Sequence, residues 1–193
     1  MARGASPWRS RTAWLAALFM GGQSLMYYAP LAWLAARYTA VGVPAASAGA
    51  LLGLFSATQL VSALAMPALA HWFGALRALV TGCVGLSTLM LALIAVVPGA
   101  APAAWASLLG IGVGGQFALA LTLLGSLGRG PADAAAIAGM AFFVGYLLAS
   151  VGPVAAGALH DLTGGYLVPF LAMAAVGVGT LAAGTAAARN RGH

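Results

Sequence analysis

The sequence predicts an all-α membrane protein, a bundle of six transmembrane helices. Three observations carry that prediction. The chain of 193 residues is 63% hydrophobic and only 5% charged, whereas about a quarter of residues in soluble domains are charged, and its mean hydropathy is +1.01. Its apolar residues fall into six runs long enough for a helix to cross hydrocarbon, which takes about 20 residues at a rise of about 1.5 Å each. Its arginines stand outside those runs or near their ends, none of them in the middle of one. A soluble protein this apolar could not cover its own surface, so lipid must be its solvent.

The runs occupy residues 13–36, 45–70, 75–97, 102–127, 133–158 and 165–188. The first follows Arg9 and Arg11 but exceeds the apolar core of a signal peptide, about 7–15 residues, and reads as a retained helix. Turn chemistry separates the rest: Gly42-Val43-Pro44, Pro98-Gly99, Gly128-Arg129-Gly130-Pro131 and Thr163-Gly164-Gly165. Glycine and proline release the chain where water or headgroups can solvate the backbone. Connections this short force neighbouring helices to run antiparallel and leave no linker to a second domain. Residues 1–12 form a leading segment, 13–188 the bundle and 189–193 a tail. A β-barrel would need alternating segments of about 10 residues, and none occur.

The net charge of +6 comes from eight arginines and two aspartates, with no lysine or glutamate. With the N-terminus inside, Arg3, Arg9, Arg11, Arg77, Arg129, Arg189 and Arg191 lie on the inner side and only Arg37 on the outer. That asymmetry predicts cytoplasmic termini in a bacterial plasma membrane. Scattered arginines form no basic patch for nucleic acid. Lone Cys83 can form neither an intrachain disulfide nor a metal cluster. HExxH, CxxC and paired carboxylates are absent, so no catalytic site, metal or cofactor is expected. His160-Asp161 reads as an outer-loop contact. Asp133 and Asp161 bracket the fifth run, so no carboxylate is placed mid-membrane to relay protons.

The polar residues that remain are neutral. Gln23 and Tyr27 are four apart and share a helix face, with Ser24 and Tyr28 on the adjacent stripe. Ser56, Gln59 and Ser62 follow on the second run, Gln116 and Thr122 on the fourth, Tyr146 and Ser150 on the fifth. A buried amide in hydrocarbon needs a partner. It finds one on a neighbouring helix or in a solute. On the second reading Gln23, Ser24, Tyr27, Tyr28, Gln59, Gln116, Thr122 and Tyr146 line a wet pathway for a small polar molecule or small anion. Small residues at close spacing (Gly110, Gly112, Gly114 and Gly115, then Gly145, Ala149, Gly152 and Pro153) predict helix contacts or hinge points. Pro30 and Pro67 also fall within runs. Trp14, Trp33, Tyr38, Trp72, Trp105 and Tyr166 suit an interfacial aromatic belt.

The stretch from Trp14 to Leu34 resembles the seventh helix of the cyanate/nitroimidazole (CynX/NimT) branch of the Major Facilitator transporters. Met20, Gly21, Gln23, Ser24, Tyr28, Trp33 and Leu34 match its pattern, and Ala35 stands where proline is usual. The stretch from Gly110 to Leu123, with Arg129 closing it, resembles the tenth helix. Ala138-Gly139-Met140, Gly145-Tyr146 and Gly152-Pro153 resemble the eleventh, and His160 to Gly164 the loop after it. Two departures stand out. Phe142 replaces a frequent glutamine. In the loop motif near Arg77, His71 and Trp72 replace an aspartate and an arginine that latch the cytoplasmic gate. The resemblance implies the C-terminal six-helix half of the Major Facilitator fold. It also implies secondary transport of a small solute, with a second six-helix half, from another chain or another copy, completing the carrier. The alternative is a truncated, non-transporting membrane remnant or an interaction protein.

Overall fold

The computed structural model describes residues 6–128 and 130–189. A short 3-10 turn, Pro7–Arg9, leads into six helices: α1 Arg11–Thr39, α2 Ala45–Phe73, α3 Leu76–Val96, α4 Pro102–Leu127, α5 Pro131–Thr163 and α6 Leu167–Arg189. The described residues contain no strand. Local chemistry sets the boundaries. The Ser10 side chain accepts from Ala13 N at 3.3 Å and caps α1, satisfying one of its orphan amides. Pro102 and Pro131 open α4 and α5, where their missing N–H costs nothing. α2 and α5 end at Gly74 (φ 60°) and Gly164 (φ 67°), in the left-handed conformation that glycine adopts freely.

Five helices, α2 to α6, are long and apolar enough to cross a membrane. α1 matches α2 at 29 residues, about 43 Å at 1.5 Å per residue. Its middle carries Gln23, Ser24, Tyr27 and Tyr28, which lower its hydropathy. α1 packs along α5 in parallel, with contacts advancing from Gly21–Gly145 through Leu25–Gly152 to Trp33–Gly157. It therefore runs through the same layer as a helix that spans.

α4 lies between α2 and α3. A Cβ at Gly114 would strike the Gln59 carbonyl of α2, and one at Gly112 would strike Ser87 and the Cys83 carbonyl of α3. The glycines of α4 are thus divided between two contacts rather than forming one groove. α6 closes the back, with Gly177 against Thr88 and Gly184 against Phe19 and Val80.

Two apolar cores result. One, at the end carrying the chain termini, gathers Phe19, Val80, Leu119, Leu123, Ala141 and Ala187. The other, at the opposite end, gathers Met26, Tyr38, Phe55, Ile94, Leu109 and Phe170. All six buried polar side chains (Gln23, Ser24, Ser62, Ser87, Gln116 and Thr180) fall between the cores in the order of their helices.

Two expectations are corrected. Tyr38 is fully buried, with its hydroxyl donating to Pro102 O at 3.2 Å; it ties α1 to α4 instead of joining an interfacial belt. His160-Asp161 lies in the last turn of α5 rather than in a loop, and the His160 ring packs 4.2 Å from that of Tyr166.

Candidate solute cavity

The polar layer opens into a cavity of about 120 Å³ where α1, α2, α4 and α5 meet. Its walls are Gln23, Ser24, Tyr27 and Tyr28 from α1, Gln59 from α2, Val113 and Phe117 from α4 and Tyr146 from α5. Six of the eight residues expected on a pathway are gathered here. Gln23 and Ser24 are buried, while Tyr28 and Tyr146 are about two-fifths exposed and stand at the mouth.

The α1 residues converge because positions four apart on a helix share a face, and 23/27 and 24/28 form two adjoining stripes. Gln23 donates from Nε2 to Ser24 Oγ at 2.7 Å and to Met20 Sδ at 3.5 Å. Its Oε1 accepts nothing. The Gln59 amide and the hydroxyls of Tyr27, Tyr28 and Tyr146 likewise make no hydrogen bond within the described residues. The cavity therefore presents a set of neutral, unsatisfied donors and acceptors. No charged side chain lines it.

Aromatic rings wrap these groups in a continuous arc across three helices. Phe142 stacks on Tyr146 at 5.7 Å, Tyr146 meets Tyr28 edge-on at 6.3 Å, Tyr28 meets Tyr27 at 5.0 Å, and Tyr27 stacks on Phe55 at 6.0 Å. Phe142 thus carries the arc on where an amide would have left a polar gap.

Gln116 and Thr122 are not in the cavity. Gln116 is fully buried against α3. Its Nε2 donates to Ser87 Oγ and, at 3.4 Å, to Cys83 O, while its Oε1 has no partner. Thr122 donates to Ala118 O of its own helix at 2.9 Å. On α4 the cavity face passes instead through Val113 and Phe117. They are four apart but apolar, so nothing in their chemistry marks them in the sequence. Phe55, which backs Tyr27, was equally silent, whereas Phe142, which backs Tyr146, had stood out only as a departure from the family pattern.

Of the residues assigned to packing or gating, Gly112 and Gly114 hold α4 to its neighbours. Gly145 and Gly152 bring α5 against Met20, Gly21 and Leu25 of α1. The carbonyl of Pro153 accepts from Trp33 Nε1 at 3.0 Å. Arg77 is exposed in the first turn of α3, in an open surface groove with Gly74, Ala75 and Thr81. His71 and Trp72 are exposed at the end of α2. Arg129 lies outside the described residues, as do Arg3 and Arg191. Arg37 has a role that its place in the charge asymmetry did not reveal. Its Nε and Nη2 donate to Ile94 O and Ala95 O at 3.1 and 2.8 Å, capping the negative C-terminal end of α3.

The bundle thus carries an uncharged, polar, aromatic-walled cavity between four of its helices. Known transporters are similar to this chain. The chain is 34% identical over 189 residues to the uncharacterized transporter YycB of Bacillus subtilis, 38% over 170 residues to the 2-nitroimidazole transporter of Escherichia coli, and 31% over 172 residues to the cyanate transport protein CynX of the same species. These matches cover 96%, 86% and 86% of the chain and 46%, 42% and 44% of the relatives. No protein-family model matches. The chain is a homologue of Major Facilitator transporters of the cyanate and nitroimidazole branch along most of its length. It spans less than half the length of these three relatives.

Proposed function

We propose that this bundle is the C-terminal half of a Major Facilitator secondary transporter, carrying a small polar solute or small anion and working as a carrier rather than a catalyst. The observation that carries the reading is the cavity itself. Unpartnered polar groups in hydrocarbon are costly, and here they converge from three helices on one space. The volume of about 120 Å³ is a little below the roughly 150 Å³ of a protein cavity that binds benzene, the scale of a single small ring. Relatives named as a 2-nitroimidazole transporter, a cyanate transport protein and a putative anionic 4-hydroxybenzoate permease point to small solutes. The length that YycB, the 2-nitroimidazole transporter and CynX have beyond this chain supports a second six-helix bundle facing this one, with the solute held between them.

The test is uptake of these three compounds into proteoliposomes, with the folded fraction of each variant measured in parallel. Gln23→Ala and Gln59→Ala are expected to cut uptake of the transported compound at least about tenfold, equivalent to about 1.4 kcal/mol, while each folds as wild type. Uptake and folded protein falling together would return both amides to a structural role. No uptake of any compound would favour a non-transporting remnant.

The arginine asymmetry supports cytoplasmic termini in a bacterial plasma membrane. A C-terminal reporter should be active only in the cytoplasm; activity only in the periplasm would reverse the orientation.

A further inference from the structure

We infer that the cavity takes its solute in a neutral form bearing an N–H or O–H donor, so that a weak acid enters protonated rather than as its anion. This rests on the reading of the cavity as a solute site and concerns which protonation state it accepts.

The Gln23 nitrogen faces Ser24 Oγ at 2.7 Å and Met20 Sδ at 3.5 Å. A serine hydroxyl can donate or accept, so it would tolerate either end of the amide. A thioether sulfur can only accept. Met20, fully buried one turn before Gln23, therefore fixes which end is nitrogen. The end left for the cavity is the carbonyl oxygen, which accepts no hydrogen bond in the protein. A solute group that can only accept would place two lone pairs against each other there. A solute N–H or O–H would complete the bond.

Charge points the same way. The groups facing the solute are Gln23, Ser24, Tyr27 and Tyr28 from α1, Gln59 from α2, Val113 and Phe117 from α4 and Tyr146 from α5. None is charged. The described arginines stand at the ends of helices: Arg9 and Arg11 before and at the start of α1, Arg37 in its last turn, Arg77 at the start of α3 and Arg189 at the end of α6. A bare anion would find hydroxyl and amide donors in this wall but no countercharge, and it would leave the Gln23 carbonyl without a donor. The protonated acid needs no countercharge and supplies the donor that Gln23 lacks. The proton then crosses on the solute, and no carboxylate relay within the membrane is needed.

The test uses two probes of one shape. 4-Nitrophenol ionises near neutral pH; 4-nitroanisole has a methyl group in place of the acidic hydrogen. Binding is measured calorimetrically to the protein in lipid nanodiscs, with empty nanodiscs as the blank. Apparent affinity for 4-nitrophenol should be flat below its ionisation and fall about tenfold per pH unit above it, as the competent fraction falls. 4-Nitroanisole should bind at least about tenfold more weakly, as expected for one lost hydrogen bond to a buried acceptor. Met20→Leu, which nearly conserves volume, frees the amide to turn and should bring the two probes to within about threefold of each other. Equal binding of the two probes by the wild type, or undiminished binding of the phenolate, would overturn the donor requirement and leave the cavity as a solute site. If neither probe binds at any pH, the solute site itself falls, and this inference with it.

Discussion

The mid-depth polar layer has two sides built from the same residue types, and they are organised in opposite ways. On the back, facing α3 and α6, Gln116 donates to Ser87, Ser87 donates to Cys83 O at 2.7 Å, Thr88 to Val84 O at 2.7 Å and Thr180 to Val176 O at 2.8 Å. Apart from the Gln116 carbonyl, these groups are used up within the protein. At the front, Gln23 Oε1, the Gln59 amide and three tyrosine hydroxyls have no hydrogen-bond partner among the described residues and surround open space. On the proposed reading the back is therefore glue and the front a receptor. The difference is not in residue chemistry, since Gln23 and Gln116 are the same side chain at similar depth. It lies in whether a neighbouring helix is close enough to answer. Gly112 and Gly115 let α3 approach α4 until Gln116 reaches Ser87. At the cavity, the stacked rings of Tyr27 and Phe55 stand between α1 and α2, while Gly145 and Gly152 keep α5 against α1.

Breaking the glycine contacts should have the largest effect. A side chain at Gly114 would collide with the Gln59 carbonyl, which is backbone and cannot turn aside. Gly114→Val is expected to cost about 3 kcal/mol or more, at the upper end of overpacking, and to lose the monodisperse species in detergent gel filtration. A variant that purifies normally and melts within about 1 kcal/mol of wild type would show that α2 and α4 can separate freely.

Next in size is the contrast between the two glutamines. Gln116→Ala removes an interhelical hydrogen bond and leaves a void, and should destabilise by about 1–3 kcal/mol. Affinity for 4-nitrophenol should change by less than about twofold, since the cavity wall is untouched. Gln23→Ala should show the reverse pattern in the same two measurements. If Gln116→Ala weakens binding at unchanged thermal stability, the back of the layer also faces solute, and the division into glue and receptor fails.

The smallest effect is expected from Tyr146→Phe. The ring keeps its contacts with Tyr28 and Phe142, so the melting temperature should hold. Loss of one hydroxyl should weaken 4-nitrophenol by about threefold, under about 1 kcal/mol. An unchanged affinity would mean that Tyr146 serves only through its ring.

Much of the fold was legible because lipid imposes a simple rule. Every spanning backbone must satisfy itself, so length and hydropathy place helices almost unaided. Residues 102–127 were expected to be a helix, and α4 is Pro102–Leu127. The other boundaries differ by up to five residues, most at the end of α5, where the helix continues through His160 and Asp161. The site was legible where one helix carried the pattern. The spacing of Gln23, Ser24, Tyr27 and Tyr28 marks a face without knowledge of any neighbour, and in the structure that face lines the cavity. It was not legible where the outcome depended on two helices. Gln116 and Gln59 look alike in sequence, yet one meets a serine and the other meets space. Arg37 looked like a loop charge and is a cap on a helix that begins 39 positions later.

By itself the sequence determined that this chain lives in lipid, how many helices it forms and which polar residues they carry, because those properties are set by composition and by a period within one segment. Only the tertiary structure decided which polar groups are consumed and which are left unpaired. That depends on how close helices distant in sequence can come, and a missing Cβ in one helix acts only through the neighbour that fills its place.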